Sequence, residues 1–323
     1  MTSRRRFAAT LLSAAAVAAA PSAWAANDTP IHILVGFPAG GGSDVIARLL
    51  AERLEKELGR TVLVDNRPGA GGQIAAQQLK AARADGTTVF LSHDHSISIL
   101  PQVVKKPGYA PQQDFTPLGG FATFVNGIAV SPGTPVKTVP EYVEWVKAQG
   151  GKSAVGIPAP ASTPEFLVQL IAQRWGLDLV AVPYKGSAPM MADMLGNQIA
   201  AGVGSVQDFI EYQRAGKLRM IGVLGGQRQA AMPDVPTFSE LGVKGLEDTP
   251  FYGIWAPKGT PRTFVDRFSR ALQQVVAQPD VRARLVDLGL TVEYMSPRQL
   301  DQRERAYTKM WSRIIAESGF EPR

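Results

Sequence analysis

Two glycine-rich runs, Phe37-Pro38-Ala39-Gly40-Gly41-Gly42-Ser43 and Gly69-Ala70-Gly71-Gly72, are the residues best suited to chemistry here, and that chemistry is anion binding. Glycine lets backbone amides come within hydrogen-bond reach of a ligand. Each run sits where a strand hands over to a helix, whose amino terminus carries partial positive charge. A carboxylate or phosphate at such a place accepts several N–H bonds. A tight strand-to-helix turn without a ligand has the same composition, so the runs alone leave both readings open.

Other chemistries find less support. Gly69 to Ile74 imitates a dinucleotide fingerprint, but Ile74 in sixth place is too large for the helix–sheet packing required there, and no glycine run ends in Lys-Ser or Lys-Thr. The three histidines are His32, His93 and His95. His93 and His95 are two apart and would share one side of an extended segment, yet zinc also needs a third ligand and a fixed outer shell. No metal or other cofactor is implied. His93 or Asp94, just past a strand, can touch a solute or serve as plain surface polarity. Ser43 and Ser205 lack the G-x-S-x-G setting of a nucleophile, and nothing argues for catalysis. Tyr184, in Val182-Pro183-Tyr184-Lys185-Gly186, is placed to line a cleft, whereas Trp145, Trp175, Trp255 and Trp311 fall in core-like patterns.

The elements that must position these residues alternate. Ile31 to Gly36 reads as a strand, and the first glycine run follows. A helix carrying Val45, Ile46, Leu49, Leu50 and Leu54 comes next, with Ser43-Asp44 as its cap and Gly59 as its stop. Thr61 to Asp65 and Thr88 to Ser92 are further strands around a helix from Gln73 to Ala84. The middle of the chain repeats this grammar: Thr138-Val139-Pro140-Glu141 opens a helix, Ser162-Thr163 can cap another, and strands are expected at Ser153 to Ile157, Leu179 to Val182, Ile199 to Val203 and Leu218 to Leu224. The end is mostly helical, closing with Pro297 to Ser318. Strand, glycine loop and helix in repetition specify an α/β fold with mainly parallel sheets. Two extended apolar stretches, Phe121 to Val130 and Phe251 to Ala256, are expected to cross between two lobes and form a hinge.

The chain has 323 residues, 34 basic and 28 acidic side chains and a net charge of +6. Arg4-Arg5-Arg6, the apolar Phe7 to Ala20 and Ala23-Trp24-Ala25 read as an export signal over residues 1–25 that is cleaved in the periplasm. Ser3-Arg4-Arg5-Arg6-Phe7 resembles the twin-arginine motif, against the plainer reading of a general export signal. The leader carries three arginines and no acid, leaving +3 on the mature chain, with no basic block suited to nucleic acid. Cysteine is absent, which excludes disulfides, thiol chemistry and a lipoprotein anchor. The mature length fits two domains.

Six stretches together resemble the Bug/TctC family, the extracytoplasmic solute receptors of tripartite tricarboxylate transporters. They are Phe37 to Asp44, Asn66-Arg67-Pro68-Gly69-Ala70-Gly71-Gly72, Val182 to Gly186, Ala215-Gly216-Lys217-Leu218-Arg219, Pro233-Asp234-Val235-Pro236-Thr237 and Ala256-Pro257-Lys258-Gly259-Thr260-Pro261. The resemblance covers essentially the whole mature chain. It implies a two-lobe, type II periplasmic-binding-protein fold with lobe I over 26–128 plus 250–323, lobe II over 129–249, and a ligand in the cleft between them. Carried over by position, lobe I offers Phe37, Ala39, Gly40, Gly41, Ser43, Ala70 and Gly71, and lobe II offers Ser162, Thr163, Tyr184 and Ser205. His93 joins them from the residue reading.

Three departures from the family pattern bear on the ligand. Pro158 to Glu165 replaces a glycine- and asparagine-rich loop that ends in histidine, Gly204-Ser205 replaces Asp-Asn, and His93-Asp94-His95 replaces small residues. The lost acid near Gly204 argues against an amino-acid ligand and for a dicarboxylate or aromatic acid. The expectation is a monomeric, non-catalytic receptor that hands a small organic acid to membrane permease subunits. A sensor subunit for a signalling partner and an enzyme acting on organic acids are the alternatives. If His93 touches the anion, affinity should fall as pH rises through its titration.

Overall fold

The computed structural model describes residues 29–322; the expected leader lies outside them. The first strands and helices are β1 (Ile31–Val35), α1 (Gly42–Leu58), β2 (Val62–Asn66), α2 (Gln73–Ala81) and β3 (Thr88–His93). Then come α3 (Leu100–Val103), α4 (Pro111–Asp114), β4 (Phe115–Thr123), β5 (Asn126–Val130), α5 (Val139–Ala148), β6 (Lys152–Ile157) and α6 (Thr163–Trp175). β7 (Asp178–Pro183), α7 (Ser187–Leu195), β8 (Ala201–Ser205), α8 (Val206–Arg214) and β9 (Arg219–Val223) follow. The chain ends with β10 (Phe251–Pro257), α9 (Arg262–Ala277), α10 (Pro279–Asp287), β11 (Thr291–Met295) and α11 (Pro297–Ser318).

Local sequence explains most boundaries. Gly59 stops α1 in a left-handed conformation at φ 58°, which costs glycine nothing. The Thr138 hydroxyl caps α5 by accepting the Glu141 amide at 3.2 Å. Ser296 and Gln299 form a reciprocal capping box at the head of α11, whose bounds are those the periodicity predicts.

The two-lobed α/β architecture expected from the resemblance is present as two sheets, ordered β11-β4-β10-β3-β1-β2 and β7-β6-β8-β5-β9. Each sheet is mainly parallel, as expected: β1, β2, β3 and β4 point one way against β10 and β11, and β6, β7, β8 and β9 one way against β5. β10 is antiparallel to both β3 and β4, and β5 to both β8 and β9. The physical reason lies in the crossings. The first strand laid down after each passage from one sheet to the other enters against the direction of its neighbours. Of the two apolar stretches read as crossings, only the first crosses, at Phe124-Val125. Phe251–Pro257 lies wholly in the first sheet, so the return passage precedes it.

Apolar packing also runs from one half to the other. Trp311 of α11 meets Phe166 of α6 in a T-shaped contact with centroids 5.1 Å apart, and both rings belong to one buried cluster that includes Phe251 and Trp255. Trp255 and Trp311 are fully buried; Trp145 and Trp175 pack partly buried against the same cluster.

Candidate functional site

Four helices aim their amino termini at one space between the two sheets. α1 reaches it with Gly41, Gly42 and Ser43, and α6 with Ser162, Thr163 and Pro164; Ser187 brings α7, and Ser205 and Asp208 bring α8. Each terminus presents amides that lack an intrahelical partner, hence partial positive charge. The space, its mouth included, is about 530 Å³, and no lysine or arginine borders it. Its walls are aromatic. Phe37 stacks on His93 with centroids 5.0 Å apart, Tyr252 stands edge-on to His93 at 5.5 Å, and Phe124 lies 5.0 Å from Tyr252.

Local acids shape several helix starts, two of them (α1 and α6) at the site. Asp44, the third residue of α1, accepts the Gly40 amide at 2.9 Å; Glu141 accepts that of Lys137 at 2.7 Å, and Glu165 that of Ala161 at 2.5 Å. Each acid thus reaches back four residues to tie down the entering chain. Burial alone would raise the Asp44 carboxyl, but bonds from Arg48 and the Gly40 amide outweigh it and hold the group below the usual carboxylate range. Ser43 and Asp44 therefore do not cap α1 as expected; the cap position is Gly41. The Ser43 hydroxyl instead bonds the Tyr252 hydroxyl at 3.1 Å. Ser162 does hold the cap position of α6, but its hydroxyl donates to the Ala159 carbonyl at 2.6 Å.

Of the residues singled out by sequence, the structure brings Phe37, Gly41, Ser43, His93, Ser162, Thr163 and Ser205 to this one space. Ala39 and Gly40 lie on the exposed side of their loop, and the Gly40 amide is already taken by Asp44. Ala70, Gly71 and Tyr184 border a neighbouring space that shares Phe37 and Pro158 as its partition. The two glycine runs thus frame adjacent spaces rather than one. Tyr184 turns its hydroxyl onto Asp193 at 2.6 Å, and burial together with that carboxylate pushes its phenol up to about 12.

The His93-Asp94-His95 segment is not extended. β3 ends at His93, and the chain turns into a π-helical stretch at His95–Ile99. The Asp94 carboxylate is buried, 3.2 Å from His93 Nδ1, and accepts the Tyr307 hydroxyl at 3.2 Å. His95 is buried against the space with no partner on either ring nitrogen. Burial first and the nearby His93 second push it down to about 3, so its ring is neutral. Among the described residues no three histidine, aspartate, glutamate or cysteine side chains gather as a metal site would require.

Sequence reasoning missed Phe124, Ser187, Tyr252 and, most consequentially, Asp208. Its carboxylate accepts the Gly42 amide at 3.1 Å, the Ser187 hydroxyl and the Ser205 amide. Burial outweighs those donors and holds the Asp208 carboxyl above the usual carboxylate range. The spacing Ser205-Val206-Gln207-Asp208 is a capping pattern, and that was the available signal. Beside Asp208, Gln207 donates from Nε2 to the Tyr252 hydroxyl at 2.9 Å. α8 therefore touches the first-sheet half at two neighbouring residues.

Comparison with known proteins gives one consistent answer. The model of the tripartite tricarboxylate transporter family receptor matches residues 46–320. A Cupriavidus necator protein described as "UPF0065 protein in gbd 5'region" is 32% identical over 290 residues, covering 90% of this chain and 88% of its own. The structure of the periplasmic binding protein BugD superposes with a TM-score of 0.85 at 31% identity, over 90% of this chain and 98% of that one. An R. palustris protein solved with adipate does so with a TM-score of 0.86 at 28% identity, over 91% and 99%. Among the described residues no helix is long and apolar enough to cross a membrane.

Proposed function

The chain belongs to the tripartite tricarboxylate transporter receptor family, and from that premise we propose that it is a periplasmic receptor that closes two lobes over a small carboxylate and delivers it to a membrane permease. The observation that carries this reading is the convergence of four helix amino termini, from both halves of the molecule, on one aromatic-walled space. Helix amino termini stabilise an anion through fixed N–H dipoles without any side-chain cation. Free hydroxyl and backbone donors then orient it.

A flat-bodied acid suits the walls, since Phe37, His93, Phe124 and Tyr252 present ring faces and edges within 5.8 Å of one another along the contacts that connect them. A dicarboxylate is the competing ligand, supported by the adipate held by the R. palustris relative. The family is one of solute receptors, and binding without turnover follows from that role. In the site, the Ser43 hydroxyl bonds Tyr252 and the Ser162 hydroxyl the Ala159 carbonyl, so neither is paired with a base as a nucleophile would be.

A thermal-shift screen with mono-, di-, tricarboxylic and aromatic acids tests this, because a ligand that binds only the native state raises its melting temperature. At least one class should raise it while mass spectrometry finds the acid unchanged. No shift with any acid at millimolar concentration, or turnover of the one that binds, would sink the reading.

A further inference from the structure

The site has an unusual charge balance for an anion receptor: two carboxylates, Asp94 and Asp208, border it, and no lysine or arginine does. Asp94 is matched, lying between His93 Nδ1 and the Tyr307 hydroxyl. Asp208 is not matched by any fixed cation. Its partners are the Gly42 amide, the Ser187 hydroxyl and the Ser205 amide. The two amides and the hydroxyl stabilise the anion. Burial nonetheless holds the group above the usual carboxylate range, as for a carboxylate that lacks a cationic partner, and it stands on the wall of a space whose helix termini are built for negative ligands.

That wall is also placed to hold a positive group. The rings of Phe37, Phe124 and Tyr252 surround His93 at 5.0 to 5.8 Å, and aromatic faces attract cations. A second observation at the same space points to a polar ligand. His95 is 3% exposed, borders the space, and has both ring nitrogens without a partner. Being neutral, it supplies one acceptor and one donor but no charge to offset Asp208. A second carboxylate placed on this side of the space would lie beside Asp94, Asp208 and a neutral His95. A protonated or quaternary nitrogen meets a charge complement in the same place.

We propose that the ligand carries a positively charged nitrogen recognised by Asp208, so that this receptor takes a zwitterionic acid of the amino-acid or betaine class. This rests on the carboxylate-receptor reading above and narrows it. The ligand carboxylate answers the helix amino termini, while the nitrogen answers Asp208 and the ring faces. The Gly204-Ser205 departure removes an acid from one position, and Asp208, on the first turn of the following helix, restores one to the same space. The sequence argument against an ammonium therefore falls.

Matched acids that differ only in the nitrogen provide the test: 3-phenylpropanoate against phenylalanine, propanoate against alanine, and 3,3-dimethylbutanoate against glycine betaine, with adipate alongside. Calorimetry on the mature protein should find at least one nitrogen-bearing member binding about tenfold or more tightly than its partner and than adipate. Asp208→Asn keeps an oxygen to accept the Gly42 amide but loses the charge, and should bring that preference to within about twofold. Asp208→Glu keeps the charge and should keep the direction of the preference. Thermal melts of both variants report whether they fold. A nitrogen-free acid or adipate binding as tightly as any zwitterion overturns the proposal and leaves the carboxylate reading standing. So does a preference that survives Asp208→Asn unchanged. Amines such as choline binding while every carboxylate fails would overturn the carboxylate reading instead, and silence from all the probes would overturn both.

Discussion

The Gly42 amide at the first turn of α1 donates to the Asp208 carboxylate at the first turn of α8, 3.1 Å away, and joins the two halves of the molecule across the edge of the site. A backbone donor without a side chain is what allows the approach. A Cβ built at Gly42 would lie 2.7 Å from Gln207 Cγ and 2.9 Å from Asp208 Oδ1. The glycine run thus brings the protein's own carboxylate against the end of α1, where the heads of α7 and α8 also bond it through Ser187 and Ser205.

Gly42→Val should push α8 away from α1 while both hydrophobic cores stay packed. The bond to Asp208 and the neighbouring Gln207–Tyr252 bond would be lost together, since both depend on the same approach. Ligand affinity should fall by about tenfold or more, with a far-ultraviolet dichroism spectrum like that of wild type. Small-angle scattering should find the variant more open in the presence of ligand than wild type. Affinity within error of wild type would show that this contact is not part of the closed state.

Gly41 is a separate case, because its added side chain would enter the site itself. Its Cβ would stand 3.0 Å from the Ser187 hydroxyl, and Gly41 holds the cap position of α1 at φ −82°, a conformation open to any residue. Gly41→Leu should therefore fold normally and bind nothing measurable in calorimetry. Wild-type affinity in that variant would remove the α1 terminus from the site.

Much of this fold is legible from one sequence. Thr138 and Glu141 announce the start of α5, and the reading of a last helix from Pro297 to about Ser318 matches α11, because capping and helical periodicity are local signals. The site is legible only in part. Phe37, Gly41, Ser43, His93, Ser162, Thr163 and Ser205 lie in or beside recognisable strand-to-helix loops. Asp208 does not, because the spacing from Ser205 reads as an ordinary helix start and its partner Gly42 is 166 residues away. Phe251 to Ala256 misleads for a related reason. An unbroken apolar run says that a strand is buried on both faces but not which sheet it enters. His93 and His95 look alike at a spacing of two until the π-helical stretch begins at His95: both then border the site, His95 buried and His93 partly so.

Glu304 gives the molecule a pH dependence away from the site. It is 2% exposed, accepts the Trp255 indole N–H at 3.2 Å, and burial pushes its carboxyl from 4.5 up to about 7. The folded chain thus holds this proton more tightly than the unfolded chain. The stability it contributes is complete below about pH 4.5 and is lost as pH rises through about 7. Glu304→Gln keeps the acceptor for Trp255 and removes the titration. The difference in unfolding free energy between wild type and variant should move in favour of the variant by roughly 3 kcal/mol between those two pH values, then stay flat. Chemical denaturation at pH 4.5, 6 and 8 measures it; a difference independent of pH would contradict the buried acid.

Gly71 tests how the neutral His95 is held. The residue sits at φ +64°, and a Cβ there would lie 2.6 Å from His95 Nε2. Gly71→Ala therefore meets two penalties, the left-handed backbone and the collision with the ring. Gly40, at φ +81° with nothing within 4 Å of its would-be Cβ, meets only the first. Gly40→Ala should cost about 1 kcal/mol of stability and Gly71→Ala about 2 to 3 kcal/mol. Replacing His95 by alanine in the Gly71→Ala background removes the obstacle, so the pair should be less destabilised than the sum of its single variants. Additive effects would mean that Gly71 is required for its backbone conformation alone. A non-additive result fixes Gly71 as the residue that lets the second glycine run close over His95, and links the neighbouring space to the wall of the site through a single ring.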